Sequence, residues 1–216
     1  MVDDKELPVT KTGTTTVGMV CKDGIVLCSD KRVTSGYLVS YKKFEKIAQI
    51  TDNIAVTMAG SASDVQLITR VISAELRLKK IRAGREVTVK EAVNLLSNMV
   101  YGNIRSMSMI PSISHFIIGG KDKKGYHLYD LSPDGTVTHC EDYVSSGSGS
   151  VMAYGVLETL YKPDMTVEET MKLGAKAINA AVQRDIASGN GIVIYTITKD
   201  GVVKAVSKDI SYKIEL

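Results

Sequence analysis

The chain has little that would place it in a bilayer, outside the cell or on nucleic acid. Its apolar runs are all much shorter than the roughly 20 residues that span a membrane. Met1 to Leu7 carry three acids and one lysine, whereas a secretory signal needs a basic start and an apolar stretch. Cysteine is scarce, and Cys21, Cys28 and Cys140 are an odd number at wide spacing. They fit reduced thiols in a cytoplasmic protein better than a disulfide framework. Net charge is only +3, from 27 basic and 24 acidic residues, so nothing calls for nucleic acid or an acidic membrane as a partner. No internal period of 20–50 residues marks a solenoid or a propeller.

The 216 residues, 44% hydrophobic and 24% charged, suffice for one large domain or two small ones with a real core. Residues 1–13 are polar and patternless and read as an unstructured leader. From Thr14 the chain turns β-rich. Thr14 to Val20 and Ile25 to Cys28 flank a Lys22-Asp23-Gly24 turn, and Lys46 to Ile50 and Ile54 to Ala59 flank Asp52-Asn53. The period then becomes helical. Ser61 with Asp64 resembles a capping box ahead of Val65, Ile68, Ile72 and Leu76. Thr88 with Glu91 is a second, ahead of Val93, Leu96, Val100 and Ile104. After Pro111, strands are expected over Ile113–Ile118, Tyr126–Leu131 and Thr136–Val144, with turns at Gly119-Gly120 and Pro133-Asp134-Gly135. A third helix runs through Val156, Leu157 and Leu160, and Thr166 with Glu169 caps a fourth. Gly191–Thr198 and Val202–Ser207 form a last hairpin around Lys199-Asp200-Gly201. Strands linked by hairpins and interrupted by helix pairs predict an α+β fold of antiparallel sheets covered by helices. The wholly apolar strands favour two stacked sheets between the helical layers.

Most candidate motifs have a plain reading. Gly147-Ser148-Gly149-Ser150 lacks both the Gly-Lys-Ser/Thr ending of a phosphate loop and the third glycine of a dinucleotide fingerprint, where Met152 stands, so it reads as a tight strand-to-helix turn. His115, His127 and His139 have no acidic orienter at ligand spacing and imply no metal. Arg77, Lys79, Lys80, Arg82 and Arg85 gather at a helix end, where cations meet the dipole, without interleaved aromatics to stack bases. The junction Lys11-Thr12-Gly13-Thr14-Thr15-Thr16-Val17-Gly18 is different. Cutting after Gly13 would leave Thr14 with a hydroxyl and a free α-amine, whose usual pKa of about 7.7–8.0 lets it act as a base. The same residues also fit a leader running into a strand, and the junction alone favours that simpler view.

Further residues turn the balance. Gly13-Thr14-Thr15-Thr16-Val17-Gly18 resembles the processing site of an archaeal-type proteasome β subunit. The likeness continues through Ser29-Asp30-Lys31-Arg32-Val33-Thr34, Lys46-Ile47, Met58-Ala59-Gly60, Ser146 to Ser150, Tyr154 to Glu158 and Gln183 to Gly189. It implies the N-terminal-nucleophile hydrolase fold, a four-layer αββα sandwich, with residues 1–13 a propeptide removed by autocleavage and 14–216 a single domain. It implies a threonine endopeptidase without metal or cofactor. Thr14 would be the nucleophile, Asp30 and Lys46 its acid and amine, and Ser148, Asp185 and Ser188 the polar group around the threonine nitrogen. The Gly60 N–H would be the oxyanion donor. A lysine cation beside Thr14 would lower its hydroxyl pKa, and a carboxylate would hold that lysine in place.

By the same resemblance Val33, Phe44, Ala48, Met58, Ala62 and Gln66 line the primary-specificity pocket. These positions are mainly apolar and hold no acid, so cleavage after hydrophobic residues is expected. The resemblance further implies homo-heptameric β rings stacked in pairs between α-subunit rings, and a regulatory ATPase that feeds in unfolded protein. Two alternatives remain at this stage: a non-catalytic ring subunit that keeps its leader, and a free-standing amidase of the same fold.

Overall fold

The computed structural model describes residues 13–108 and 112–210. The leader expected over residues 1–13 therefore lies outside the described residues except for Gly13, as do Pro111 and the last six residues.

The elements in order are β1 Thr16–Cys21, β2 Gly24–Asp30, β3 Val33–Ser35, β4 Leu38–Tyr41, β5 Ile47–Thr51, β6 Ile54–Thr57 and β7 Ala59–Gly60. The helices α1 Ala62–Ala83 and α2 Val89–Ile104 follow. Next come β8 Ser114–Asp122, β9 Gly125–Leu131, β10 Val137–Cys140 and β11 Tyr143–Ser146, then α3 Ser150–Leu160 and α4 Val167–Arg184, and finally β12 Gly191–Thr198 and β13 Gly201–Asp209. One sheet has the order β11-β1-β2-β12-β13. The other runs β10-β9-β8-β6-β5, with β7 also on β8. Every pairing between the described strands is antiparallel.

Three apolar clusters identify the layers. Ile25, Leu27, Val193 and Ile197 of the first sheet meet Ile47, Ala55, Ile117 and Leu128 of the second. Val17, Met19, Val26 and Cys28 face the opposite way, onto Ala153, Leu157, Leu173 and Ala177 of α3 and α4. Val56, Phe116 and Ile118 pack on Val65, Ile72, Val93 and Leu96 of α1 and α2. Strand β2 is buried throughout because alternate side chains enter the inter-sheet core and the helix layer. The αββα sandwich thus arises from strands with two apolar faces and helices with one. No helix among the described residues is long and apolar enough to cross a membrane.

Local expectations fared unevenly. The capping boxes at Thr88/Glu91 and Thr166/Glu169 both form. Ser61 is the N-cap of α1, but its hydroxyl pairs with Ser63 instead of capping the helix, so no capping box with Asp64 exists. Gly119-Gly120 is not a turn. Both glycines lie inside β8, where a Cβ would stand 2.8 Å from Ile197 Cδ1 or 2.7 Å from Val89 Cγ2. They are small because the first sheet and the start of α2 press against that strand; the turn falls at Lys123-Lys124. The strand expected over Thr136–Val144 breaks at Glu141-Asp142, and its halves, β10 and β11, join opposite sheets. The short hairpin β3–β4 was not anticipated.

Candidate active site

Sheet register assembles the candidate site. The β1–β2 ladder pairs Thr16 with Ser29, which leaves Thr15 opposite Asp30 just beyond the strand. The β1–β11 ladder pairs Thr16 with Ser146, which carries the Gly147–Gly149 turn alongside Thr14. The β2–β12 ladder pairs Asp30 with Ile192 and brings the segment after α4, with Ser188 and Gly189, to the same edge. A Cβ on Gly147 would lie 2.0 Å from the Thr14 carbonyl oxygen, and its φ of +90° suits glycine, so the turn can close on Thr14 only without a side chain there.

Two networks meet at Thr14. In the first, Lys46 Nζ lies 2.7 Å from Asp30 Oδ1. The lysine is 2% and the aspartate 0% exposed. Asp30 Oδ1 also accepts the Thr15 N–H at 3.0 Å, and Oδ2 accepts those of Arg32 at 2.8 Å and Gly189 at 3.0 Å. Lys46 Nζ reaches the Gly13 carbonyl oxygen at 3.4 Å, and Thr14 Oγ1 donates to that same oxygen at 2.7 Å. Burial lowers the Lys46 pKa from the usual 10.5, while the neighbouring Asp30 carboxylate opposes the shift.

In the second network the Thr14 N–H donates to Ser148 Oγ at 3.3 Å, and Ser148 Oγ donates to Asp185 Oδ2 at 2.7 Å. Ser188 Oγ donates to the same carboxylate oxygen at 2.5 Å and contacts Thr15 Oγ1 at 2.6 Å. The nitrogen and the hydroxyl of Thr14 therefore have separate polar neighbours, one set for each atom a threonine nucleophile would use. In the uncut chain that nitrogen is an amide.

Gly60 lies on β7, which follows Met58, and the Met58 N–H donates to the Lys46 carbonyl at 2.8 Å. Its φ is +119°, and a Cβ would stand 2.1 Å from the Ile113 carbonyl oxygen, so only glycine fits. Of the six pocket positions, Phe44, Ala48, Met58 and Gln66 line one cavity of about 580 Å³, together with Glu45, Ile47, Thr69, Arg70 and Tyr195. Val33 and Ala62 are not among its lining residues. The wall also holds an acid, Glu45, whose carboxylate is taken up by Lys204. Among the described residues no three His, Cys, Asp or Glu side chains are grouped to hold a metal ion.

Several contributors were not singled out from sequence. Thr15, Arg32 and Gly189 all serve Asp30. Arg32 also ties the segment after α4 in place, with Nε donating to Asn190 Oδ1 at 2.8 Å and Nη1 to the Ile186 carbonyl at 2.9 Å. Their one signal was membership of the family-like blocks: Thr15 in Gly13–Gly18, Arg32 in Ser29–Thr34 and Gly189 in Gln183–Gly189. Two of the histidines do have acidic partners, supplied by tertiary contact: His115 Nε2 lies 2.6 Å from Asp130 Oδ1 and His127 Nε2 3.2 Å from Asp122 Oδ1. Three members of the basic cluster are ion-paired, Lys79 and Arg85 with Glu91, and Lys80 with Asp52 and Glu86.

Comparison with known proteins identifies the family. The family model described as "Proteasome subunit" matches residues 10–197. The chain is 44% identical over 194 residues to the proteasome subunit beta of Methanocaldococcus vulcanius, covering 89% of this chain and 85% of the relative. It is 43% identical over 203 residues to that of Ferroglobus placidus, covering 94% and 95%. It is 45% identical over 191 residues to that of Methanocaldococcus jannaschii, covering 88% and 84%. The chain belongs to the proteasome family and stands with its archaeal β subunits.

Proposed function

We propose that the chain is a catalytic β subunit of a 20S core, made as a precursor that cuts its own Gly13–Thr14 bond and then hydrolyses peptides with Thr14. One observation carries this reading: Thr14 Oγ1 and the buried Lys46 ammonium converge on the carbonyl oxygen of Gly13. In self-cleavage Thr14 Oγ1 attacks the Gly13 carbonyl carbon while Lys46 stabilises the oxyanion forming on Gly13 O. The C–N bond to Thr14 breaks as its nitrogen gains a proton, and an ester to Oγ1 remains. Lys46–Asp30 and Ser148–Asp185 are the groups adjacent to the two atoms that exchange protons. Water then hydrolyses the ester, releasing residues 1–13 with a new carboxylate and restoring the Thr14 hydroxyl beside the amine already freed.

That amine would be the base for peptide substrates, with Ser148 and Asp185 around it and Ser188 holding Asp185 in place. The Gly60 N–H would meet the substrate oxyanion. The apolar part of the cavity wall, formed by Phe44, Ile47, Ala48 and Met58, supports cleavage after hydrophobic residues, Glu45 being occupied by Lys204. The fastest fluorogenic peptides should carry Leu or Tyr before the cut, and fastest cleavage after Arg would overturn the preference. Assembly with α subunits follows from the family. Paired homo-heptameric β rings, a regulatory ATPase on the α rings, unfolded protein as substrate and a cytoplasmic location complete the proposal.

The test is the intact mass of the chain recovered from particles assembled with a cognate α subunit. A mass beginning at Thr14 supports the mechanism, and Thr14→Ala should then keep residues 1–13 and show no peptidase activity. A wild-type mass that retains residues 1–13 would remove the catalytic assignment and leave a structural ring subunit.

A further inference from the structure

Gly13 is the residue whose carbonyl would be attacked, and glycine has the greatest backbone freedom of any residue. In the structure it is held from three sides. Its carbonyl oxygen meets Thr14 Oγ1 and Lys46 Nζ. Its Cα lies against Ala187, so closely that a Cβ at position 13 would fall 1.7 Å from the Ala187 Cβ. Its N–H, which precedes β1 and has no place in that strand's ladder, donates to the side-chain hydroxyl of Thr34 at 3.3 Å.

Thr34 is built to be there. It is only 4% exposed. It sits at an irregularity of the β3–β4 ladder, where Val33 pairs with Tyr41 but Thr34 pairs with Val39, passing over Ser40. Such irregularities re-aim side chains next to functional sites. A buried backbone N–H needs an acceptor, and at this point a side chain 21 residues further along the chain provides it.

We propose that Thr34 is a positioning residue for self-cleavage: its hydroxyl fixes the Gly13 N–H and so helps to set the orientation of the Gly13 carbonyl toward Thr14 Oγ1. Thr34 transfers no proton or atom. Pinning the N–H restricts rotation about the Gly13 Cα and reduces the entropy lost in reaching the attack geometry. The inference rests on the self-cleavage reading given above.

The test compares Thr34→Val with Thr34→Ser in chains assembled with a cognate α subunit, following the fraction cut after Gly13 over time by intact mass. Valine keeps the shape and loses the acceptor, whereas serine keeps the acceptor and loses a methyl. A positioning hydroxyl predicts cutting about five- to tenfold slower in the valine variant, the range for one lost hydrogen bond, and a rate near wild type in the serine variant. A packing role predicts the reverse order and overturns the proposal. Equal rates in both variants, whether normal or slow, also overturn it. Wild-type chain that is never cut would instead sink the self-cleavage reading itself, and this inference with it.

Discussion

Lys46 and Lys80 carry the same side chain and each touches a carboxylate, yet their proton affinities move in opposite directions. Lys80 lies on the surface at the end of α1, and the hydrogen bonds of Glu86 and then Asp52 raise its pKa. Lys46 is buried against Asp30 and the Gly13 carbonyl, where loss of water outweighs the attraction of Asp30 and its pKa falls. The exposed pairs are screened and contribute little to stability. The buried pair gives up hydration to hold a charge beside Gly13 and Thr14. Burial, more than partner identity, separates a lysine suited to chemistry from one that decorates a helix.

The largest effect expected from breaking this contrast is at Asp30. Asp30→Ala strands the buried Lys46 charge and leaves three backbone N–H groups without their acceptor. It should cost about 3–5 kcal/mol in denaturant unfolding and abolish cutting after Gly13. Replacing both partners, Asp30→Leu with Lys46→Met, leaves no charge stranded. The double variant should recover part of that stability yet remain uncut; if it is less stable than Asp30→Ala alone, the stranded Lys46 charge is not what costs that variant its stability.

A middle effect concerns pH. Because burial lowers the Lys46 pKa from the usual 10.5, the cation is lost as pH rises through that lowered value. Peptide hydrolysis by the cut chain should decline there, before an ordinary lysine would titrate. The stability linkage has the other sign. Between the lowered value and 10.5 the unfolded chain holds a proton that the folded chain lacks, so raising the pH through that window favours the folded state through this group. Hydrolysis that stays flat up to pH 10.5 would show that the Lys46 cation is not needed. The smallest effect is at the surface: Lys80→Met should leave both cutting and melting temperature unchanged within error, and a clear loss would mean that this end of α1 has a partner.

The contrast also bears on what could be read before the fold was known. Thr88/Glu91 and Thr166/Glu169 were legible because a capping box is complete within four residues. The apolar periods of α1, α2 and α4 were legible for the same local reason. Gly119-Gly120 misled because a glycine pair signals a turn in sequence, while here it marks the close approach of Ile197 and Val89 from remote segments. Thr136–Val144 misled because its β-rich composition does not say to which sheet each half belongs. Within the site, the Gly13–Thr14 junction stood out by its own chemistry, whereas Asp30 and Lys46 were found only through resemblance. Thr15, Arg32, Thr34 and Gly189 stayed hidden because their partners are defined by contact. The Gly189 N–H finds Asp30 across 159 positions of sequence.

By itself, then, the amino-acid order determined most of the elements, the αββα layering and a threonine placed after a glycine at the head of the first strand. These follow from local backbone preference and apolar periodicity. Only the tertiary structure decided that Lys46 is buried against Asp30, that Ser148 and Asp185 stand at the nitrogen of Thr14, and that Thr34 holds Gly13. Those outcomes depend on strand register and on the exclusion of water, which arise when distant segments pack and which no short stretch of sequence contains.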